Sequence, residues 1–264
     1  MRPFFRLTPA ITNIILLNVL IMLLMMFLPG IQLLFYNALA LHSPMSPEFI
    51  PTQFFSYMFL HANIGHLFGN MFGLMIFGSL LEDFWGARRL ISYYLICGLG
   101  AGVIYSVFQY IEHREMYAVM QDFLKDPNPA NYSYFMYEYN REYYTDMLNW
   151  IDRFRENPDN YLYIEQAKAN IVNYYSNKLS IPMVGASGAL FGILMAYGML
   201  FPNTTPFIIP IPAKFIVALY GITAYFGVIK NDPGDFTAHS AHLGGMIIGF
   251  FVIKYWQKKR TRFY

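Results

Sequence analysis

Gly185-Ala186-Ser187-Gly188-Ala189-Leu190-Phe191-Gly192 places one hydroxyl among small residues at the head of an apolar run that reaches Phe201. Pro182 lies just upstream and Pro202 closes the run, so the stretch reads as a helix with the serine in its first turn. Two readings of that serine stand side by side. In the first it is helix chemistry: Ser is a common N-cap, and Gly188 and Gly192 at G-x-x-x-G spacing let membrane helices pack closely. In the second it is a nucleophile whose small neighbours leave room for a substrate backbone. The octapeptide alone favours the first, since such motifs are frequent in membrane helices. The second needs a base and an oxyanion site elsewhere in the chain.

The surroundings of the octapeptide are membrane-like. Of the 264 residues, 56% are hydrophobic and only 13% charged, too apolar and charge-poor for an ordinary soluble domain. Cys97 is the only cysteine, which excludes an intrachain disulfide. Arg2 and Arg6 precede an apolar stretch long enough to span, with no small-residue cleavage site after it, so no cleavable signal peptide is expected.

The chain divides into six expected spans: Ile11 to Leu28, His61 to about Phe84, Leu90 to about Ile111, Val184 to Phe201, Ala213 to about Ile229, and Ala238 to about Trp256. Pro29-Gly30 stops the first. Residues 30–60, with Pro44, Pro47 and Pro51 and no Lys or Arg, read as a loop partly embedded in the interface. Pro202 to Pro212 reads as a loop and Asn231 to Asp235 as a turn. Glu112 to Ser180 differs in character, with 11 acidic and 7 basic residues and many tyrosines. Asp126-Pro127-Asn128-Pro129 and Asn157-Pro158-Asp159 cut it into three helix-like parts. Its aromatics are too many for disorder, so a folded helical insertion outside the membrane is expected. The expected organisation is one membrane domain, 1–111 and 181–264, interrupted by the insertion 112–180. Several spans fall short of about 20 residues, so some helix ends should be tucked below the surface.

Six spans put both termini and the second and fourth loops on one side. That side carries ten Lys and Arg, among them Arg88, Arg89, Lys214, Lys254 and Lys258, against Lys230 alone in the two short loops opposite. Positive charge marks the cytoplasmic face, and the long insertion is exempt from the count. The expected setting is a multi-pass protein of a bacterial plasma (inner) membrane, with both termini cytoplasmic and the insertion outside.

Polar residues within spans are functional suspects. His66 and Asn70, four apart, share a face of the second span. His239 and His242 lie near the start of the sixth, followed by Gly244-Gly245. The second, fourth and sixth spans run in the same direction. Ser187, His66, Asn70 and His242 therefore fall at a similar depth, just under the outer surface. That co-location favours the nucleophile. His242 suits a base for Ser187, while the side chains of His66 and Asn70 and the backbone N–H at Ser187 can donate to an oxyanion. No acidic residue is obviously placed to orient the histidine, which makes a Ser–His dyad.

Gly185-Ala186-Ser187-Gly188, His66-x-x-x-Asn70 and Ala241-His242-Leu243-Gly244-Gly245 resemble the three signatures of the rhomboid intramembrane serine proteases, in the family's order on alternate spans. The resemblance covers the six-span core. It implies an all-α, polytopic, six-transmembrane-helix rhomboid-like bundle, here with an extra helical insertion between the third and fourth spans. It further implies a serine endopeptidase that cleaves in or near transmembrane segments. Ser187 would be its nucleophile, His242 its base in preference to His239, and His66 and Asn70, with the Ser187 N–H, its oxyanion donors. It implies that Phe191 lies against the histidine and that Glu82-Asp83-Phe84-Trp85-Gly86 is structural. Thr52-Gln53 departs from the family's frequent Trp-Gln or Trp-Arg. The expected partners are transmembrane protein substrates and the lipid bilayer. No nucleic acid is expected, because the insertion is net acidic. The insertion either contacts substrate or a partner protein or is passive decoration. No cofactor is called for. A zinc site from the histidines is disfavoured, since His61 and His66 face different directions and there is no His-Glu-x-x-His. A transporter would show internal repeats and mid-membrane polar groups, and a binding-only family member would be expected to lack the serine or the histidine.

Overall fold

The computed structural model describes residues 7–28, 30–206, 211–230 and 237–260. Arg2, Arg6, Pro29, Arg262, the Asn231–Asp235 turn and part of the Pro202–Pro212 loop lie outside them. Apolar runs become helices throughout. Pro9 opens α1 (Pro9–Phe27), where its missing N–H costs nothing. Residues 31–39, expected as loop, form α2 (Ile31–Leu39). The prolines behind that expectation begin only at Pro44, so nothing in IQLLFYNAL stops a helix. The loop beyond is pinned by Gln53 of the short α3 (Gln53–Ser56). Gln53 is fully buried; its amide donates to the Glu48 carbonyl at 2.8 Å and accepts from the His42 N–H at 3.3 Å. A 3₁₀ turn, Tyr57–Phe59, follows.

The second apolar stretch is α4 (Ile64–Gly73), one π-turn (Leu74–Gly78) and α5 (Ser79–Trp85) in continuous succession. Gly86, at φ +82°, ends it. Next comes α6 (Ala87–Lys125), 39 residues long. At 1.5 Å per residue it reaches about 58 Å, nearly twice a hydrocarbon core. The helix that holds the third apolar stretch therefore does not end near Ile111. No Gly or Pro occurs from 103 to 126 to break it, and the helix runs on into the insertion. The membrane part resumes with α11 (Ser187–Leu200), α12 (Ala213–Lys230) and α13 (His239–Arg260).

Among the described residues, four helical stretches are long and apolar enough to cross a membrane: α1, Ile64–Trp85, α6 and α12, with α11 a shorter apolar helix. Exposure agrees with lipid contact. Leu16 and Leu20 of α1 and Leu219 and Phe226 of α12 stand more than half exposed, a pattern water would penalise.

The core lies where α6, α11 and α13 meet, and glycines set the distances. A Cβ on Gly188 would come within 2.6 Å of Ala101 Cβ, and one on Gly192 within 2.5 Å of Cys97. At Gly245 it would lie 1.9 Å from the Gly188 carbonyl oxygen, so α11 and α13 touch backbone to backbone. Tyr93 and Tyr57, both buried, donate their hydroxyls to the carbonyls of Gly192 and Gly98 at 2.8 Å. Buried polar ends are thereby satisfied without water.

Glu82 is a buried carboxylate seated at the N-terminus of α1. It accepts from the N–H groups of Ala10 at 2.9 Å and Ile11 at 3.0 Å and from the Thr8 hydroxyl. It caps from another helix the donors that α1 cannot satisfy itself, at the end where the helix dipole favours a negative charge. Glu82→Ala leaves three buried donors unpaired. It is expected to cost about 2–4 kcal/mol, read as a lowered unfolding temperature in detergent, with Glu82→Gln milder.

The stretch expected as an insertion folds around a second hydrophobic cluster. It comprises the end of α6, α7 (Pro129–Tyr139), α8 (Arg141–Asp146), α9 (Leu148–Glu156) and α10 (Tyr161–Ser180). Phe123, Tyr132, Phe135, Ile151 and Phe154 are at its centre. The two breaks expected from proline and asparagine occur, and Asn128 and Asn160 cap the helices after them. The middle part also bends at Asn140 and Met147. Those bends fold it back, so that Phe135 and Phe154 enter one core instead of lying along a straight helix. At its root, His113 of α6 bonds the Ser43 hydroxyl at 2.8 Å. Two residues before that serine, Leu41 pairs with Met183 in an antiparallel bridge (N···O 2.9 and 2.8 Å). The first loop is thus tied both to the insertion and to the segment that leads into α11.

Candidate active site

Ser187 enters α11 through a turn that its neighbours impose. Gly185 sits at φ +126°, a conformation that side chains resist, and its N–H donates to the Tyr57 carbonyl at 3.0 Å. Ala186 occupies the cap position and offers no side-chain cap. The hydroxyl of Ser187 is therefore not used as an N-cap. It lies 2.8 Å from Nε2 of His242, in the first turn of α13. The glycine contact of Gly188 with Gly245 brings the two helices close enough for that bond. Of the first reading of the opening octapeptide, the glycine packing holds and the N-cap does not, and the packing brings the serine to the histidine.

Phe191, one turn after the serine, stacks on the His242 ring with centroids 4.1 Å apart and planes at 7°. Tyr220 of α12 meets Phe191 edge-on at 5.6 Å. His239 lies on another side, its ring packed over Gly227 of α12, where a Cβ would come within 2.3 Å of it. Of the two histidines of α13, His242 is the one in hydrogen-bond contact with Ser187.

His66 reaches the same place from α4. Its ring lies on the Cα of Gly185, where a Cβ would meet His66 Nε2 at 2.8 Å. Asn70, buried one turn later, donates from Nδ2 to the His66 carbonyl at 2.9 Å and keeps a second amide hydrogen. Three supports surround the site, of which sequence reasoning overlooked Asn63 and Tyr57. Asn63 caps α4 by accepting from the His66 N–H at 2.8 Å, a signal present in an Asn just before an apolar run. Tyr57 holds the Gly185 turn. His61, buried, stands edge-on against His66 with centroids 5.0 Å apart. Among the described residues no group of three or more His, Cys, Asp or Glu is close enough to hold a metal ion.

The sequence of this fold matches the family model of the rhomboid domain over residues 50–118 and 161–258. The chain belongs to the rhomboid family. The unmatched stretch between the two rhomboid segments falls within the insertion. Rhomboid relatives include RHOMBOID-like protein 12, mitochondrial, of Arabidopsis thaliana, 26% identical over 78% of this chain and 46% of that protein. Rhomboid protein 1, mitochondrial, of Saccharomyces cerevisiae is 32% identical over 31% of this chain and 25% of its own length. RHOMBOID-like protein 6, mitochondrial, of Arabidopsis thaliana is 45% identical over 19% of this chain and 17% of that protein. The chain spans about half or less of the length of these rhomboid relatives.

Proposed function

We propose that this protein is an intramembrane serine endopeptidase that cleaves peptide bonds in or near transmembrane segments of other membrane proteins. The observation that carries the reading is the 2.8 Å contact between the Ser187 hydroxyl and Nε2 of His242, with a flat aromatic ring on the imidazole. Ser187 Oγ attacks the scissile carbonyl and His242 takes its proton. The tetrahedral oxyanion accepts from His66, Asn70 and the Ser187 N–H. His242 returns the proton to the leaving amine, and water then hydrolyses the acyl-enzyme through the same base. The substrate helix must unwind locally, because a helical peptide bond is shielded.

The proposed architecture has six spans: α1, Ile64–Trp85, the first part of α6, α11, α12 and α13. Both termini are on the cytoplasmic face of a bacterial plasma (inner) membrane, and the site opens outward. The bias of Lys and Arg toward one side supports this orientation; the mitochondrial names belong to the relatives. The insertion then stands on the face from which substrate and water enter, and we propose that it recruits or restricts substrate. Replacing residues 119–160 with a short Gly/Ser linker is expected to change cleavage of some membrane substrates more than about tenfold. Cleavage of an unfolded soluble polypeptide should be unaffected. Unchanged rates on every substrate would remove the idea.

The reading itself is tested with a purified reporter carrying one transmembrane helix. Wild type is expected to cut it and to be labelled by a fluorophosphonate; Ser187→Ala is expected to do neither. Cleavage that survives Ser187→Ala rules the proposal out, and a wild type inert toward both probes points to a binding-only family member.

A further inference from the structure

His61 has no part in the chemistry just described, yet it is 1% exposed and lies at the middle of the site. The two rings meet edge to face, with centroids 5.0 Å apart and planes at 70°. A second constraint on His66 is Gly185, where an added Cβ would come within 2.7 Å of the ring. The His66 ring thus packs against both His61 and the Gly185 turn. An imidazole meant to donate to an oxyanion cannot spend its donor on the protein, so packing must aim it. His61 also touches the serine's own turn. Its Nε2 faces the Ala186 N–H at 3.5 Å, the outer limit of a hydrogen bond. That contact puts the ring proton on Nδ1, which is buried with no hydrogen-bond partner among the described residues. An unpaired buried donor costs stability, so the ring is poorly explained as core filling alone.

We infer that His61 is a positioning residue, whose ring, packed edge to face with the His66 imidazole, holds it at the angle needed to donate to the oxyanion. The inference rests on the protease reading above. Its mechanism is preorganisation: a donor free to turn loses most of what it contributes in the transition state.

The test measures reporter cleavage for wild type, His61→Ala, His61→Phe, His66→Ala and the double variant His61→Ala/His66→Ala. His61→Ala is expected to lower kcat by about 10- to 100-fold with KM unchanged, because the lost interaction exists only in the transition state. His61→Phe restores the ring and should return to within about threefold of wild type. Once His66 is alanine, removing His61 should cost less than about twofold, since the two act as one unit. With ring-labelled histidine, the His66 NMR signal is expected to shift and broaden in His61→Ala and to stay sharp in His61→Phe. Should His61→Ala fail to fold, His61→Leu fills the volume without an aromatic ring and takes its place. The inference is overturned by equal losses in both His66 backgrounds, by a Phe variant as slow as the Ala one, or by an unmoved His66 signal. If Ser187→Ala cleaves like wild type, the protease reading has failed instead, and the NMR comparison still decides whether His61 orients His66.

Discussion

Gly245→Ala is expected to lower reporter cleavage by about 100-fold or more and to lower the unfolding temperature as well. The added methyl would sit 1.9 Å from the carbonyl oxygen of Gly188. Most glycine substitutions meet the far end of a side chain, which can rotate away. Here the obstacle is backbone inside a helix, so α11 and α13 must separate by more than an ångström. The Ser187 oxygen and the His242 nitrogen ride on those two helices within one turn or so of the contact. Their 2.8 Å separation has no slack: such a shift takes it beyond hydrogen-bond range. Overpacking of this kind costs about 1–3 kcal/mol in stability, sometimes more. Gly69→Ala is the control, because a Cβ there meets nothing within 4 Å. It should leave both cleavage and unfolding temperature near wild type. A Gly245→Ala protein with full activity would mean that the pair can re-form after the helices part, and that glycine packing does not set the geometry of the site.

Removal of the reacting groups is expected to give the other large effect, and its pattern carries more information than its size. Ser187→Ala and His242→Ala should each reduce turnover by about 10⁴-fold or more. The double variant should be no slower than either one, because a nucleophile without its base and a base without its nucleophile are equally idle. His66→Ala and Asn70→Ala remove the proposed oxyanion donors and leave the attack itself intact, so each should cost about 10²- to 10³-fold. The ranking follows from the geometry. His242 is already within bonding distance of Ser187, whereas His66 lies against the Gly185 turn and Asn70 one helical turn away. Multiplying losses in the serine–histidine double variant would show two groups working independently and would count against a shared proton transfer.

The architecture was legible in the sequence to different depths. Apolar runs bounded by Pro and Gly located helices, four of them among the described residues long and apolar enough to cross a membrane, because a helix in lipid must satisfy its own backbone and Pro and Gly readily interrupt it. The same rule foresaw the breaks at Asp126–Pro129 and Asn157–Asp159. It failed at residues 31–39, where prolines further along suggested a loop, and it did not show that the helix holding the third apolar run goes on past Ile111. Polarity marks where a membrane ends; nothing obliges a helix to end there too, and α6 continues to Lys125. Glu82 was read as structural, but its partner at the head of α1 lies more than seventy residues upstream, beyond the reach of any local pattern.

By itself the sequence determined the chemistry available: one serine among glycines, a histidine with glycines behind it, and a His–Asn pair at helical spacing. Residue type and periodicity suffice for that, because both are local properties. Only the tertiary structure decided which groups meet. It brought His242 within 2.8 Å of Ser187, stacked Phe191 on the His242 ring, and set His61 against His66. Those outcomes depend on interhelical distances of a few ångströms. Backbone contacts at Gly188, Gly192 and Gly245 set those distances, and such contacts form between segments that the sequence holds far apart.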